Sequence, residues 1–225
     1  MSLSDVFKTS CEKIYGNVNN LQECPDQYVM YIDLQYQKPI IDIICSNKTQ
    51  RSSKYISNIS NQDAQVVVII LESPHINEFD QNGAPIGPAM GKTGENISNY
   101  ILNVLKKHYS DGKYKIMLME AVSYQCSNGE PKINGQKRDT VFKDVWVNGG
   151  EDDFKVRLKS YHPDIVINAC TGGVRKIDSQ STLNSLVDSA VRKLGFKNYY
   201  YSSHPSSYWF GIKRMIKRCS CKGGG

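Results

Sequence analysis

Continuous apolar runs alternate along the chain with amphipathic segments. The run VVVIILE at 66–72 is apolar and β-branched, which is typical of a strand buried on both faces. The same patterns predict further strands at 114–122, 164–170 and 198–203, and helices at 94–109, 152–162, 181–195 and 211–222. This alternation favours an α/β fold, namely a three-layer α/β/α sandwich around a mainly parallel, four-stranded central sheet.

Two regions depart from that alternation. The segment YVMYIDLQYQKPIIDIIC at 28–45 predicts two strands around a Lys-Pro turn, set among polar stretches. We interpret residues 1–62 as an N-terminal accessory, β-rich segment packed on a core domain of residues 63–222. Residues 126–150 are rich in Gly and Asn, and they predict a long loop of the kind that often carries function.

Composition limits the class of protein. Of the 225 residues, 40% are hydrophobic, which is enough for one core, and no apolar run reaches the ~20 residues that cross a membrane. The polar N-terminus predicts no secretory signal, so we expect a cytoplasmic monomer with no membrane partner and with reduced, buried cysteines. Cys219 and Cys221 lack zinc-knuckle spacing, and we predict no metal and no cofactor.

The net charge of +6 permits a polyanionic partner without requiring one. Five basic residues and no acidic residue lie in GIKRMIKRCSCK at 211–222. Such a cluster is either a phosphate-contacting surface or a solvated helix face, and charge alone leaves both open.

The segment GAPIGPAMGKTGENI at 83–97 contains Gly-Lys-Thr but does not match a nucleotide-binding P-loop. That motif requires a glycine five residues before Gly91, where this chain has Ile86. A P-loop also turns directly off its strand, whereas here more than ten residues intervene. The segment therefore needs another explanation.

Polar residues follow the first and last predicted strands of the core, in LESPH and SSHPSS. In parallel sheets, ligands bind beyond the carboxyl ends of the strands. Here the chain resembles the uracil-DNA glycosylase superfamily over roughly residues 63–215. Its first motif corresponds to Glu72-Ser73-Pro74-His75 with the Gly83–Ala89 loop, and its second to His204-Pro205-Ser206.

The middle strands fit the same order, because AVSYQCS at 121–127 and HPDIVINACTGG at 162–173 resemble the family's second and third strand ends. Several motif positions differ. Leu71 replaces a glycine, Ile86 replaces a phenylalanine that stacks on uracil, and Val122 replaces a uracil-reading asparagine. Only Cys126 matches an iron-sulfur ligand position, so we predict no cluster.

The resemblance implies roles for particular residues. Glu72 would handle the attacking water or the sugar cation, and His204 would hydrogen-bond the departing base. The remaining contacts would come from two groups: for the substrate base, Ser73, Pro74, His75, Ile86, Gly87 and Tyr124; for DNA, Ser203, Pro205, Ser206, Ser207, Tyr208, Trp209, Lys213 and Arg214.

Three functions stay open at this point. The first is a DNA glycosylase of base-excision repair that removes uracil or another damaged or modified base from single- or double-stranded DNA. The second is a module of the same fold that binds DNA or a modified base without cleavage. The third is a hydrolase of free nucleosides or nucleotides, which would make the basic segment incidental.

Overall fold

The computed structural model describes residues 1–34, 39–42, 64–130, 134–174, 181–208 and 216–218. Within these ranges one sheet contains seven strands, in the order β2-β1-β4-β3-β5-β6-β7. The strands are β1 (Gln27–Asp33), β2 (Pro39–Asp42), β3 (Gln65–Leu71), β4 (Lys113–Glu120), β5 (Ile165–Asn168), β6 (Tyr199–Ser202) and β7 (Ile216–Arg218).

The centre of the sheet is parallel and its edges are antiparallel. Strands β4, β3, β5 and β6 run parallel to one another, while β1, β2 and β7 pair antiparallel. The mixed α/β fold predicted from the alternating pattern is confirmed. The prediction of a four-stranded sheet is corrected to seven strands in the described part of the chain.

Helices cover both faces of the sheet. They are α1 (Leu3–Tyr15), α2 (Lys92–Lys106), α3 (Gly135–Val145), α4 (Glu151–Ser160), α5 (Leu183–Lys193) and α6 (Pro205–Tyr208). Successive side chains of a strand point to opposite faces. Val68 and Ile70 of β3 therefore join the apolar cluster under α1, α3, α4 and α5, whereas Val67 and Ile69 join the cluster under α2.

The N-terminal segment is more intimately part of the fold than predicted. Strand β1 pairs directly with β4, so these strands extend the sheet instead of packing on it. Helix α1, which the pattern did not predict, begins with a capping box between Ser2 and Asp5. The predicted boundary between residues 62 and 63 lies outside the described residues.

The predicted long loop at 126–150 is wrong, because much of it is helical. Helix α3 continues through a π-helical turn at Trp146–Gly150 into α4. Val141, Phe142 and Val145 are buried at helical spacing, and this burial outweighs the Gly and Asn content of the segment. Gly149, with φ of 121°, makes the kink between the helices.

The helix predicted at 211–222 is also wrong over Ile216–Arg218. These residues form β7, which pairs antiparallel with β6 so that Ser202 lies opposite Ile216. Strand pairing here overrides a charge pattern that suits a helix equally well. The remainder of 209–222 lies outside the described residues.

Two further expectations concern composition. Cys11, Cys126 and Cys170 are buried free thiols, as predicted, whereas Cys45 and the cysteines near the C-terminus lie outside the described residues. Among the helices of the described ranges, none has the length and apolar character needed to span a membrane.

Candidate functional site

A cavity of about 370 Å³ opens at the carboxyl ends of β3 and β4. Its walls come from the β3 end, the α2 N-terminus, the β4 end, α3 and the β6–α6 junction. The lining residues are Leu71, Glu72, Ser73, Pro74, His75, Asn77, Glu78, Gly91, Lys92, Thr93, Glu120, Ser127, Arg138, Thr171, His204, Ser206 and Ser207. The predicted ligand position beyond the parallel strands therefore coincides with a real concavity.

Glu72 lies on the wall of this cavity directly after β3. Its Oε1 is 3.1 Å from Arg138 Nε, and the Ser73 hydroxyl donates to the same oxygen at 3.1 Å. Burial raises the pKa of Glu72 to about 7, although the charge of Arg138 acts in the opposite direction. A carboxyl group with this pKa exchanges a proton readily near neutral pH.

Asp139 fixes the position of the Arg138 side chain. The Arg138 guanidinium donates to Asp139 Oδ1 at 2.7 Å, while the other oxygen of Asp139 accepts the Val174 N–H at 2.6 Å. The Arg138 side chain is only 16% exposed. This second carboxylate fixes the guanidinium where it meets Glu72, so Arg138 is a preorganised part of the site.

His204 faces the same cavity from the segment after β6. Its Nδ1 accepts the backbone N–H of Ser206 at 3.3 Å, which places the proton of the neutral ring on Nε2. Enclosure by protein and, secondarily, the charge of Arg138 lower its pKa to about 4. His204 is therefore a neutral N–H donor at physiological pH.

The motif that carries His204 is tied to α2. The side-chain amide of Asn96 donates to the Pro205 carbonyl oxygen at 2.7 Å, and both residues are buried. This hydrogen bond links the helix entered by the Gly-Lys-Thr segment to the second motif. The GKT residues thus lie in the cavity wall at a helix start, separated from β3 by a long connection as the sequence indicated.

The connection after β3 is ordered by its own polar residues. His75 Nδ1 accepts the Asn77 N–H at 3.2 Å, and burial lowers the pKa of His75. Glu78 reaches across the connection, where its Oε1 accepts the Ala89 N–H at 2.9 Å. These contacts shape the wall, and they leave His75 positioned beside the cavity as a second neutral imidazole.

The structure brings most of the predicted first and second motifs together. Seven predicted residues line the cavity: Glu72, Ser73, Pro74, His75, His204, Ser206 and Ser207. Ile86, Gly87, Ser203 and Pro205 are not among its lining residues. The side chain of Tyr208, and Trp209, Lys213 and Arg214 altogether, lie outside what is described.

Tyr124, which was predicted to bind the substrate base, does not line this cavity. Its ring stacks on Phe7 of α1 with centroids 4.8 Å apart, and its hydroxyl donates to Glu23. Tyr124 is thus a core residue under the N-terminal helix. Val122 is also in the core, and only its N–H reaches the site, donating to the Glu72 carbonyl oxygen at 3.0 Å.

Several charged residues that line the cavity were missed, among them Glu120 and Arg138. Glu120 ends the strand KYKIMLME as Glu72 follows VVVIIL, so the strand-end rule could have found it. No sequence pattern pointed to Arg138, because it lies on α3, in a segment whose Gly and Asn content predicted a loop. Among the described residues, no group of three His, Cys, Asp or Glu side chains is arranged to hold a metal ion.

Comparisons of the chain with protein-family models, with curated proteins and with solved structures found no match.

Proposed function

We propose that this protein hydrolyses the N-glycosidic bond of a nucleobase in DNA. The observation that carries the proposal is the pairing of Glu72 and His204 on one cavity, each supplied by a different strand end. The pKa of Glu72 is raised to about 7, above the usual value of a carboxyl group, and the pKa of His204 is lowered to about 4, below the usual value of an imidazole. Opposed pKa shifts in one cleft are characteristic of acid–base sites.

The two groups suit the two halves of the reaction. Water attacks C1′ of the sugar while the C1′–N bond breaks and its electron pair leaves with the base. Glu72 takes a proton from the water, and the Nε2–H of His204 donates a hydrogen bond to the oxygen of the anionic base. The base then takes up one proton, so each cleavage consumes one water molecule.

The surroundings favour a base that enters from a nucleic acid strand. Ser206 and Ser207 are exposed at the cavity, and their hydroxyls lie 3.4 Å apart. The Ser206 hydroxyl lies 2.8 Å from His204 Nδ1 and donates to it in the tautomer given above, so the Ser207 hydroxyl is the one that can donate to a phosphate oxygen. The cavity volume of about 370 Å³ is at the small end for ligand sites and suits a single flipped base. Uracil remains the first base to test, since the resemblance implies it.

The test uses labelled oligonucleotides that carry uracil, hypoxanthine, xanthine or thymine mismatches, single- and double-stranded, followed by alkali to reveal abasic sites. We expect cleavage by the wild type and its loss in Glu72→Gln and His204→Ala. Asp152→Asn serves as the control, because its side chain is 86% exposed on α4. Cleavage of free nucleosides without cleavage of any oligonucleotide would instead identify a small-molecule hydrolase.

A second candidate function is binding without cleavage. The observation that favours it is the double engagement of Glu72 Oε1 by Arg138 and Ser73, which ties the carboxyl group to the wall. Retention of DNA that weakens with salt, with no abasic product at micromolar protein, would establish this function and end the catalytic role of Glu72.

A further inference from the structure

Glu120 is a buried acid in the cavity that the reaction above does not use. It ends β4, opposite Leu71 of the neighbouring β3, and it is 2% exposed while lining the cavity. Its Oε2 is buried and has no hydrogen-bond partner among the described residues. Leaving a carboxyl oxygen unsatisfied is costly unless a water molecule or a ligand completes its hydrogen bonding.

The two arginines near Glu120 bind other groups. The Arg157 guanidinium binds the backbone carbonyl of Glu120 at 3.1 and 3.2 Å, and it pairs with Asp26 at 2.7 Å and with Asp153 at 2.7 Å. Arg138 pairs with Glu72 and Asp139. The Glu120 carboxyl group therefore takes part in neither set of salt bridges, that of Arg157 or that of Arg138.

Negative groups surround Glu120 on several elements. Burial, then the charges of Glu78, Glu72 and Asp26, raise the pKa of Glu120 well above its ordinary value, and Arg157 opposes them only in part. These surroundings favour the neutral carboxylic acid form of Glu120 over the ionised form. A neutral carboxylic acid offers one O–H donor beside one carbonyl acceptor.

We propose that Glu120 determines the specificity of the cavity by binding a planar heterocycle through an edge that carries one hydrogen-bond donor beside one acceptor. Such edges are the lactam of uracil-like bases and the amidine of cytosine-like bases. Either carboxyl oxygen can carry the proton, so both edges fit. The assignment of the ligand as a nucleobase rests on the proposed function, but the hydrogen-bond pattern follows from Glu120 alone.

The test is equilibrium binding of free uracil, cytosine and 3-methyluracil to the intact protein, by titration calorimetry or ligand-observed NMR. The methyl group of 3-methyluracil removes the central N–H donor. We compare wild type with Glu120→Gln, which keeps one donor and one acceptor, and with Glu120→Met, which has similar size and neither group. Thermal unfolding confirms that each variant is folded.

We expect uracil or cytosine to bind the wild type and Glu120→Gln comparably, and to bind Glu120→Met about 10- to 100-fold more weakly. The affinity of the wild type should fall as alkaline pH ionises Glu120 and removes its donor. That of Glu120→Gln should not show this loss, although both proteins retain the other charged and titratable groups around it, namely Glu72, Glu78, Asp26, Lys92, Arg138, Arg157, Cys170 and His204.

Three results would overturn the proposal: equal binding of the preferred base by Glu120→Met and the wild type, equal binding of uracil and 3-methyluracil by a wild type that binds uracil, or failure of every base to bind the wild type. A folded Glu120→Gln protein with the same alkaline loss as the wild type would do so as well. Binding of free bases needs no bond cleavage. Base recognition that depends on Glu120 but comes without oligonucleotide cleavage would thus refute the hydrolase and leave this inference standing.

Discussion

Replacing Arg138 with glutamine should move the titration of Glu72 to higher pH. Arg138 Nε lies 3.1 Å from the Glu72 carboxyl group, with side-chain exposures of 16% and 8%. Water and salt screen so enclosed a pair poorly. Without Arg138, burial and the negative charge of Asp139 both act to raise the pKa of Glu72, whereas the Ser73 hydrogen bond acts to lower it.

The size of the effect follows from the ion pair. An adjacent arginine lowers a carboxyl pKa by about 1–3, so the pKa of Glu72 should rise from about 7 to roughly 8 or higher in Arg138→Gln. The ionised fraction at neutral pH then falls from about one half to about one tenth or less. If Glu72 is the general base, cleavage at neutral pH should slow at least about fivefold and recover on the alkaline side.

Two assays measure this shift. Single-turnover cleavage from about pH 5 to about pH 9 gives the kinetic midpoint, and NMR of protein labelled with ¹³C at glutamate carboxyl groups gives the pKa without any substrate. Arg138→Lys keeps the charge and should keep the midpoint near that of the wild type. Arg192→Gln, whose partner is Asp188 on α5, controls for a lost charge away from the cavity. A midpoint in Arg138→Gln that stays in place or moves to lower pH would refute the electrostatic reasoning.

Three further predictions test the folded framework. Asn96→Leu removes the buried 2.7 Å hydrogen bond to the Pro205 carbonyl, and it should lower the free energy of unfolding by about 1–3 kcal/mol in urea titrations; an unchanged value would show that the bond is dispensable. Glu72→Gln should become more stable relative to the wild type as pH rises from 4.5 to about 7. The wild type loses stability in that window because the folded pKa of Glu72 is raised, so its ionisation is less favourable in the folded than in the unfolded protein, whereas glutamine does not ionise. The full change in the free energy of unfolding is roughly 3 kcal/mol, and a constant difference between the two proteins across that window would contradict the prediction. Gly112→Ala should destabilise by at least about 1 kcal/mol, because φ is 114° and a Cβ would lie 2.9 Å from the Tyr114 hydroxyl; a thermal midpoint equal to that of the wild type would count against it.

The position of the site was predictable because it depends on simple features of sequence. A continuous apolar run identifies a central parallel strand, and the first polar residue after it must lie at the sheet edge where ligands bind. This argument placed Glu72 and His204 on one cavity. Applied equally to KYKIMLME, it would also have placed Glu120 there.

The errors arose where local pattern and tertiary packing disagree. Tyr124 follows a strand and carries a polar hydroxyl, yet its ring is buried in the core, where it stacks on Phe7. Arg138 lies in a segment whose Gly and Asn content favours a loop, while four buried apolar residues further along make it a helix. Which face of that helix meets Glu72 is decided only once α1, the sheet and α3 have packed together, and no local pattern encodes that arrangement.

The chemistry of the site follows from an imbalance that the fold itself creates. Two adjacent parallel strands each lead into a glutamate at the same edge, and the register that pairs Leu71 with Glu120 brings both acids to one cavity. Two carboxylates in one buried site disfavour each other's ionisation, and the one beside a cation ionises first. Arg138 contacts Glu72, while Arg157 donates its hydrogen bonds to Asp26, Asp153 and backbone carbonyl oxygens. Contact with Arg138 thus favours ionisation of Glu72 over that of Glu120, so the Arg138 variants should alter the protonation of both glutamates together.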